Sequence, residues 1–382
     1  MNNVPLFRFA LAGVMATLSS PALADAPKVV TDIAPIHGLV ARVMDGVGTP
    51  DVLLPPGASA HHYSMRPSDA RAVQNADIVI WTDPYLSPWL GETLEGIAPD
   101  TEQVVLGGVE GTLQLPFRES AVFDLHDHDE DEHDHDEHAH DGHDHDEDHD
   151  HDDHEDHDHD DDHDHDHEAH DDHDHDDAHD HDHDHEDAEH ADDHDEHEHD
   201  DHDDAHEHDH VHGPYDPHLW LSPDNAILWL DVIAQELAEI DPENAETYRA
   251  NAQAGQGEIA DAVDAVAARI DALDDVRFVV FHDAYRYFED RFGIEAVGAI
   301  SISDASAPSP KRLSEVRDAV KDAGVNCAFS EPQFSPKLVD AVTDGLDVTK
   351  AVLDPLGSDI ALGSTFYVEL LESFATAFES CE

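Results

Sequence analysis

The chemistry in this sequence is carried by histidine. Thirty-two of its 37 histidines lie in the 89 residues from Asp124 to His212, together with 48 of the 93 acidic residues and no Lys or Arg. Imidazole nitrogen beside carboxylate oxygen, as in His143-Asp144-His145 or His181-Asp182-His183-Asp184-His185, is a donor set for divalent cations. The run from His126 to His212 therefore reads as an auxiliary, weak metal-binding segment. It has almost nothing apolar to bury, so ordering it would cost more entropy than burial returns, and disorder is expected. A solvated acidic tract is the plainer reading, and the imidazoles argue against it.

The other five histidines are His37, His61, His62, His218 and His282. His61 follows a Pro55-Pro56-Gly57 break, His218 sits in Asp216-Pro217-His218-Leu219-Trp220, and His282 ends an apolar run. Asp359 follows the last apolar run of the chain. Three imidazoles and one carboxylate are a usual zinc set, tetrahedral with Zn–N of about 2.0 to 2.1 Å. These four are scattered over roughly 300 residues, so surface or capping roles stay open on spacing alone. His62, next to a candidate ligand, points away in an extended loop and is expected either to support a ligand from outside the coordination sphere or to face solvent. His37 reads as a packing or capping residue. Glu331 is either an outer acceptor for a ligating imidazole or a strand-end cap. Trp220, Tyr63 and Phe281 surround the site or simply fill the core.

The elements that must position these residues alternate. Strands are expected at 28–33, 52–54, 77–82 and 103–106, with helices at 35–43, 68–76 and 87–96 between them, which means parallel βαβ units. A helix starts at Ser222-Pro223 and runs to about Glu239. From Asp241-Pro242 the helical pattern continues to about Leu273, with Ile259, Val263, Val266, Ile270 and Leu273 on one seam. That is a strut of about 45 Å, weakened but not broken by Gly255 and Gly257. A second set follows, with strands at 278–281, 296–301, 327–330 and 349–353 and helices at 282–292, 310–322, 336–343 and 365–380. The expected fold is α/β: two lobes, each a roughly four-stranded parallel sheet flanked by helices, joined by one long helix, with the metal site in the cleft between them. The boundaries expected are a signal peptide over 1–24, an N-terminal lobe over 25–123, the insert over 124–212, a return to the first lobe over 213–241, the linking helix over 242–274 and the C-terminal lobe over 275–382.

Arg8, the apolar run Phe9 to Leu18 and Ala22-Leu23-Ala24 form the leader pattern, and no later apolar run is long enough to span a bilayer. An exported, periplasmic protein follows. In that compartment the pair Cys327 and Cys381 favours a disulfide, with two buried thiols as the alternative. The net charge is -76, of which -28 lies outside the insert. An acidic body argues against nucleic acid as a partner and suits cations.

The strings HHYSMRPSD (His61 to Asp69), DPHLWLSP (Asp216 to Pro223), FHDAYRYF (Phe281 to Phe288), FSEPQFSP (Phe329 to Pro336) and LDPLGSDI (Leu353 to Ile360) occur in this order. Together with the insert they resemble the zinc-binding, ZnuA-type solute-binding proteins of bacterial ABC importers. The resemblance implies two lobes bridged by a rigid helix, one Zn2+ between them on His61, His218 and His282, and a Cys327–Cys381 disulfide. Manganese-type relatives carry an acid where His282 stands, which favours zinc. Asp359 is the expected fourth ligand, with water or a carboxylate of the insert as alternatives. The implied function is capture of periplasmic Zn2+ and delivery to an inner-membrane permease driven by a separate ATPase, with no catalytic step. A monomer is expected, with a periplasmic zinc chaperone as a possible second partner. The competing readings are a periplasmic metal buffer or storage protein, an importer component for nickel, cobalt, copper or manganese, and a zinc hydrolase. The hydrolase lacks an HExxH-type motif, and a carboxylate in the fourth position would close the site.

Overall fold

The computed structural model describes residues 26–118, 120–123, 213–301 and 308–382. The expected signal peptide and the insert over 124–212 lie outside the described residues.

The first sheet contains β1 (Val29–Thr31), β2 (Asp51–Val52), β3 (Ile78–Trp81) and β4 (Glu102–Val105), all parallel in the order β2-β1-β3-β4. Apolar, β-branched side chains bury β1 and β3 on both faces, as parallel sheets require. Helices α1 (Ala34–Val43), α2 (Pro67–Gln74) and α3 (Pro88–Ile97) return the chain, each with proline in its first turn. Short β2 continues as two further ladder bonds, Leu53 N–H to the Thr31 carbonyl at 2.9 Å and Leu54 N–H to that of Asp32 at 3.0 Å.

The second sheet contains β5 (Phe278–His282), β6 (Gly298–Ser301), β7 (Cys327–Ser330) and β8 (Thr349–Val352), parallel in the order β6-β5-β7-β8. Its helices are α6 (Arg286–Phe292), α7 (Pro310–Asp322), α8 (Lys337–Thr343) and α9 (Phe366–Glu379). Two parallel four-stranded sheets with helical returns are the architecture the sequence pattern implies.

Between the sheets stand α4 (Pro223–Ile240) and α5 (Ala245–Ile270). Helix α4 is capped by Ser222, whose hydroxyl accepts from Asn225 N–H at 3.2 Å. The long helix is shorter than its sequence pattern. Asp241 accepts from the Asn244 amide and the Tyr248 hydroxyl, both at 2.7 Å, and this fixes Pro242–Asn244 as a separate 3-10 turn. The 26 residues that remain span about 39 Å. Along that length α5 packs against α1 and α4 from the first half and α9 from the second. Gly255 allows the close approach of α5 here: a Cβ would sit 2.9 Å from the Arg42 side chain and 3.1 Å from Leu230, and those side chains would have to shift. One apolar core runs from Val29 in β1 through α4 and α5 to Phe378 in α9.

Two differences from the sequence pattern matter for the site. The helix expected from residue 282 begins only at Arg286, because His282 ends β5 and Ala284 N–H turns back onto its carbonyl at 2.9 Å. Residues 120–123, grouped by sequence with the first lobe, lie against the second sheet. Val122 bridges antiparallel to Gly298, and Phe123 N–H donates to the Val297 carbonyl at 2.9 Å. Gly298 permits this, since a Cβ there would stand 2.4 Å from the Ala121 carbonyl oxygen. Cys327 and Cys381 form a disulfide that ties the start of β7 to the end of α9.

Candidate metal site

The Pro55-Pro56-Gly57 break ends the ladder of β2, with Gly57 at φ +76°. The Ser59 hydroxyl then accepts from the N–H groups of both His61 and His62 at 3.2 Å, and the Trp89 indole donates to the Ala60 carbonyl at 2.7 Å. This local loop holds His61 half-buried and leaves His62 exposed. His218 is presented by a tight turn in which one oxygen of Asp216 accepts twice, from His218 N–H at 2.9 Å and from its ring Nδ1 at 2.6 Å. His282 stands at the C-terminal end of β5, and Glu331 follows β7. They face each other where the strand order reverses, the place where open α/β sheets hold ligands. Glu331 accepts from His282 Nδ1 at 2.7 Å.

The three side chains meet. His61 Nε2 lies 3.2 Å from His218 Nε2, which lies 3.2 Å from His282 Nε2. Among the described residues His61, His218 and His282 are the group whose ligand atoms fall close enough for one ion. In His218 and His282 the Nδ1 atom carries the hydrogen given to a carboxylate, so Nε2 presents a lone pair. Lone pairs this close repel unless a cation sits among them. Donors at 2.0 to 2.1 Å from a tetrahedral centre stand about 3.3 to 3.4 Å apart, and the observed spacing is close to that.

Both outer carboxylates are buried. Burial pushes the Asp216 carboxyl up to about 7, against the bond from His218 N–H and the positive charge of Arg118. Burial likewise raises Glu331, against the pull of His282. The second oxygen of Glu331 is buried with no hydrogen-bond partner within bonding distance among the described residues.

The structure does not bring Asp359 to this cluster. It is exposed, because the loop before it is wound around Asp354, whose carboxylate accepts from Leu356 N–H at 3.0 Å and Ser358 N–H at 2.6 Å. Of the aromatics, Trp220 lines the site, 5.4 Å from the His218 ring, and its indole donates to the Pro355 carbonyl at 2.8 Å. Tyr63 packs instead on Trp89 and bonds Asp69 at 2.6 Å. Phe281 stacks on Phe334, and Phe334 is the ring set against His282, at 5.8 Å. His37 is buried in α1 with Nε2 3.2 Å from the Pro50 carbonyl, away from the cluster. Sequence reasoning passed over Asp216 and Phe334. The Asp-x-His spacing of the first, an Asp two residues before a candidate ligand, is a usable signal for a turn that orients it.

The family profile described as zinc-uptake complex component A periplasmic matches residues 29–381. The high-affinity zinc uptake system protein ZnuA of Brucella abortus (strain 2308) is 40% identical over 354 residues, covering 92% of this chain and 91% of its own. That of Paracoccus denitrificans (strain Pd 1222) is 37% identical over 372 residues, covering 97% and 96%. In fold, the chain resembles a crystal structure of ZnuA with TM-score 0.61 at 19% identity, covering 93% of this chain and all of that one. It also resembles the solute-binding protein FpvC of Pseudomonas aeruginosa in complex with Mn2+, with TM-score 0.62 at 16% identity, covering 94% and 99%. A match running from the first strand to the second cysteine, joined to close relatives over nearly the full length, makes this chain a member of the periplasmic zinc-uptake component A (ZnuA) family.

Proposed function

We propose that the chain captures Zn2+ in the periplasm on His61, His218 and His282 and hands it to an ABC permease of the inner membrane, energised by a separate ATPase. The observation that carries this is the pair of 3.2 Å Nε2 separations, with the Nδ1 atoms of His218 and His282 engaged by buried carboxylates. Three imidazoles suit zinc better than manganese, which prefers oxygen donors. Asp359 takes no part, and the fourth position is filled by solvent.

The hydrolase reading loses ground for a different reason from the one sequence offered. With solvent in the fourth position, a general base would still be needed within reach of it. Asp216 and Glu331 each orient an imidazole through one oxygen, and the rest of the lining, Ser59, Ala60, Trp220, Phe334, Pro355, Leu356 and the Gln333 amide, carries no other titratable side chain besides the three histidines. Export by a signal peptide over 1–24, weak metal binding by the insert, a monomeric state and a zinc chaperone as second partner belong to the same proposal. The deciding experiment is competitive Zn2+ titration with each of the three histidines changed in turn to Ala. One tight site per chain that each change weakens supports the reading. A tight site indifferent to all three moves the function to the insert and makes storage or buffering the better account.

A further inference from the structure

Residues 115–118 and 120–123 act as a strap between the two turns that carry His218 and His282. The Leu115 carbonyl accepts from Asp216 N–H at 2.8 Å. The Tyr287 hydroxyl accepts from Leu115 N–H at 3.0 Å and donates to the Asp216 carbonyl at 2.7 Å. Three residues on, Arg118 reaches the turn after β5. Its Nε donates to both oxygens of Asp283 at 3.0 and 3.2 Å, and Nη2 bonds the same carboxylate. Nη1 and Nη2 donate to Glu289 at 2.7 and 3.1 Å. Beyond it, Ala121 and Phe123 are bonded to the β6 edge, and the Phe123 ring lies 3.8 Å from the guanidinium carbon.

Asp216 orients His218, and Asp283 is the residue after His282. One short segment therefore fixes both turns, without touching a ligand nitrogen. Stability is a poor explanation for it, because the desolvation of a buried ion pair offsets most of its attraction. What a guanidinium forked over two buried carboxylates does provide is a single geometry.

We propose that Arg118 is a positioning residue for the metal: with Leu115 and Tyr287 it holds the His218 and His282 turns in register, so that their Nε2 atoms face each other before the cation arrives. This rests on the reading that the three imidazoles take Zn2+. Preorganisation of this kind acts mainly on the release rate, because a ligand held in place cannot swing away from the ion.

The test uses the full chain, with release of Zn2+ to a chromophoric chelator and the tetrahedral d–d bands of bound Co2+ as readouts. Arg118→Met is expected to speed the slow phase of Zn2+ release about tenfold, the lower end of what loss of an outer partner costs, and to weaken the Co2+ bands. Arg118→Lys, which keeps the charge but not the fork, falls between. Tyr287→Phe, which alters no charge, shifts both readouts in the same direction. Wild-type release and Co2+ bands in both Arg118→Met and Tyr287→Phe, with only a lower melting temperature, would overturn the proposal. Should Arg118→Met fail to fold, Tyr287→Phe and the charge-neutral combination R118M/D283N/E289Q decide on the same readouts. His282→Ala separates the two levels. Bands that survive it sink the ligand assignment itself, whereas bands lost in it but intact in the Arg118 and Tyr287 variants sink the positioning role alone.

Discussion

His218 Nδ1 lies 2.6 Å from an oxygen of Asp216, the same oxygen that accepts from the His218 backbone at 2.9 Å. One carboxylate thus fixes both the turn and the ring that the turn presents. Asp216→Asn keeps the size but offers an amide that need not accept from Nδ1, and the imidazole is then free to take the other tautomer. We expect Zn2+ affinity to fall about 10- to 100-fold while the melting temperature of the metal-free protein changes little. Titration and thermal unfolding of the same variant check this. Unchanged affinity would mean that the turn, and not the tautomer, is what Asp216 supplies.

Asp359→Ala is expected to leave Zn2+ affinity at the wild-type value, in contrast to His61→Ala, His218→Ala and His282→Ala. The sequence LDPLGSDI contains two aspartates, and nothing in the string says which is structural. The structure assigns that part to Asp354, which accepts from Leu356 N–H, Ser358 N–H and the Gln333 amide. The loop turns at Gly357, φ +61°, and leaves Asp359 outside. A tenfold loss of affinity in Asp359→Ala would restore it as a ligand.

How far the site is legible in sequence depends on how local its causes are. His61 and His282 are marked by features within a few residues, a Pro-Pro-Gly break and the end of a β-branched run, and the structure brings both to the cluster. The strands and helices follow from short-range periodicity in the same way. Arg118 has no such mark, because its acidic partners lie 165 and 171 residues away. The crossing of residues 120–123 to the β6 edge is equally silent, since it depends on the absence of a side chain at Gly298. The shortening of α5 was half-visible: Asp241-Pro242 signals a restart, but the bonds from Asn244 and Tyr248 that split off the first turn are side-chain contacts.

Asp32 predicts a pH dependence of stability. It is buried at the end of β1 and accepts from Ile33 N–H at 2.9 Å and Thr82 N–H at 3.0 Å. Burial still pushes its carboxyl up to about 6 from 3.8. The folded protein therefore keeps this proton to a higher pH than the unfolded chain. Asp32 costs nothing below the unfolded value, and its cost grows from about pH 4 to 6 and is complete above. Moving the carboxyl from 3.8 to about 6 corresponds to about 3 kcal/mol. Relative to Asp32→Asn, the wild type should gain up to about that much as pH falls from 7 to 4, measured by urea unfolding in the presence of a chelator. A difference that does not move with pH would show that Asp32 stays ionised.

The disulfide closes a loop of 54 residues between β7 and α9. In the chain-entropy model this stabilises the fold by roughly 4 kcal/mol, and Cys327→Ser with Cys381→Ser should lower the unfolding free energy by about that amount. Glu331 follows the strand that Cys327 begins, yet it is held by His282 and by the ladder of β7 with β5 and β8. Zn2+ affinity below the unfolding transition is therefore expected to be unchanged. A variant that loses affinity while still folded would tie the disulfide to the site.

Deletion of 127–210 tests the division of labour between body and insert. All three converging imidazoles belong to the body, and the carboxylates that orient two of them, Asp216 and Glu331, belong to it as well. Among the described residues, the contacts that place Asp216 and Glu331 against His218 and His282 all come from the body. The deleted protein should therefore keep one tight Zn2+ site and lose a set of weaker ones, whose alternating His and Asp side chains bind without a preformed geometry and so with lower affinity per ion. Calorimetry on both forms separates the classes by stoichiometry. Loss of the tight site on deletion would mean that a donor from the insert completes it, and the solvent assigned to the fourth position would have to give way to that donor.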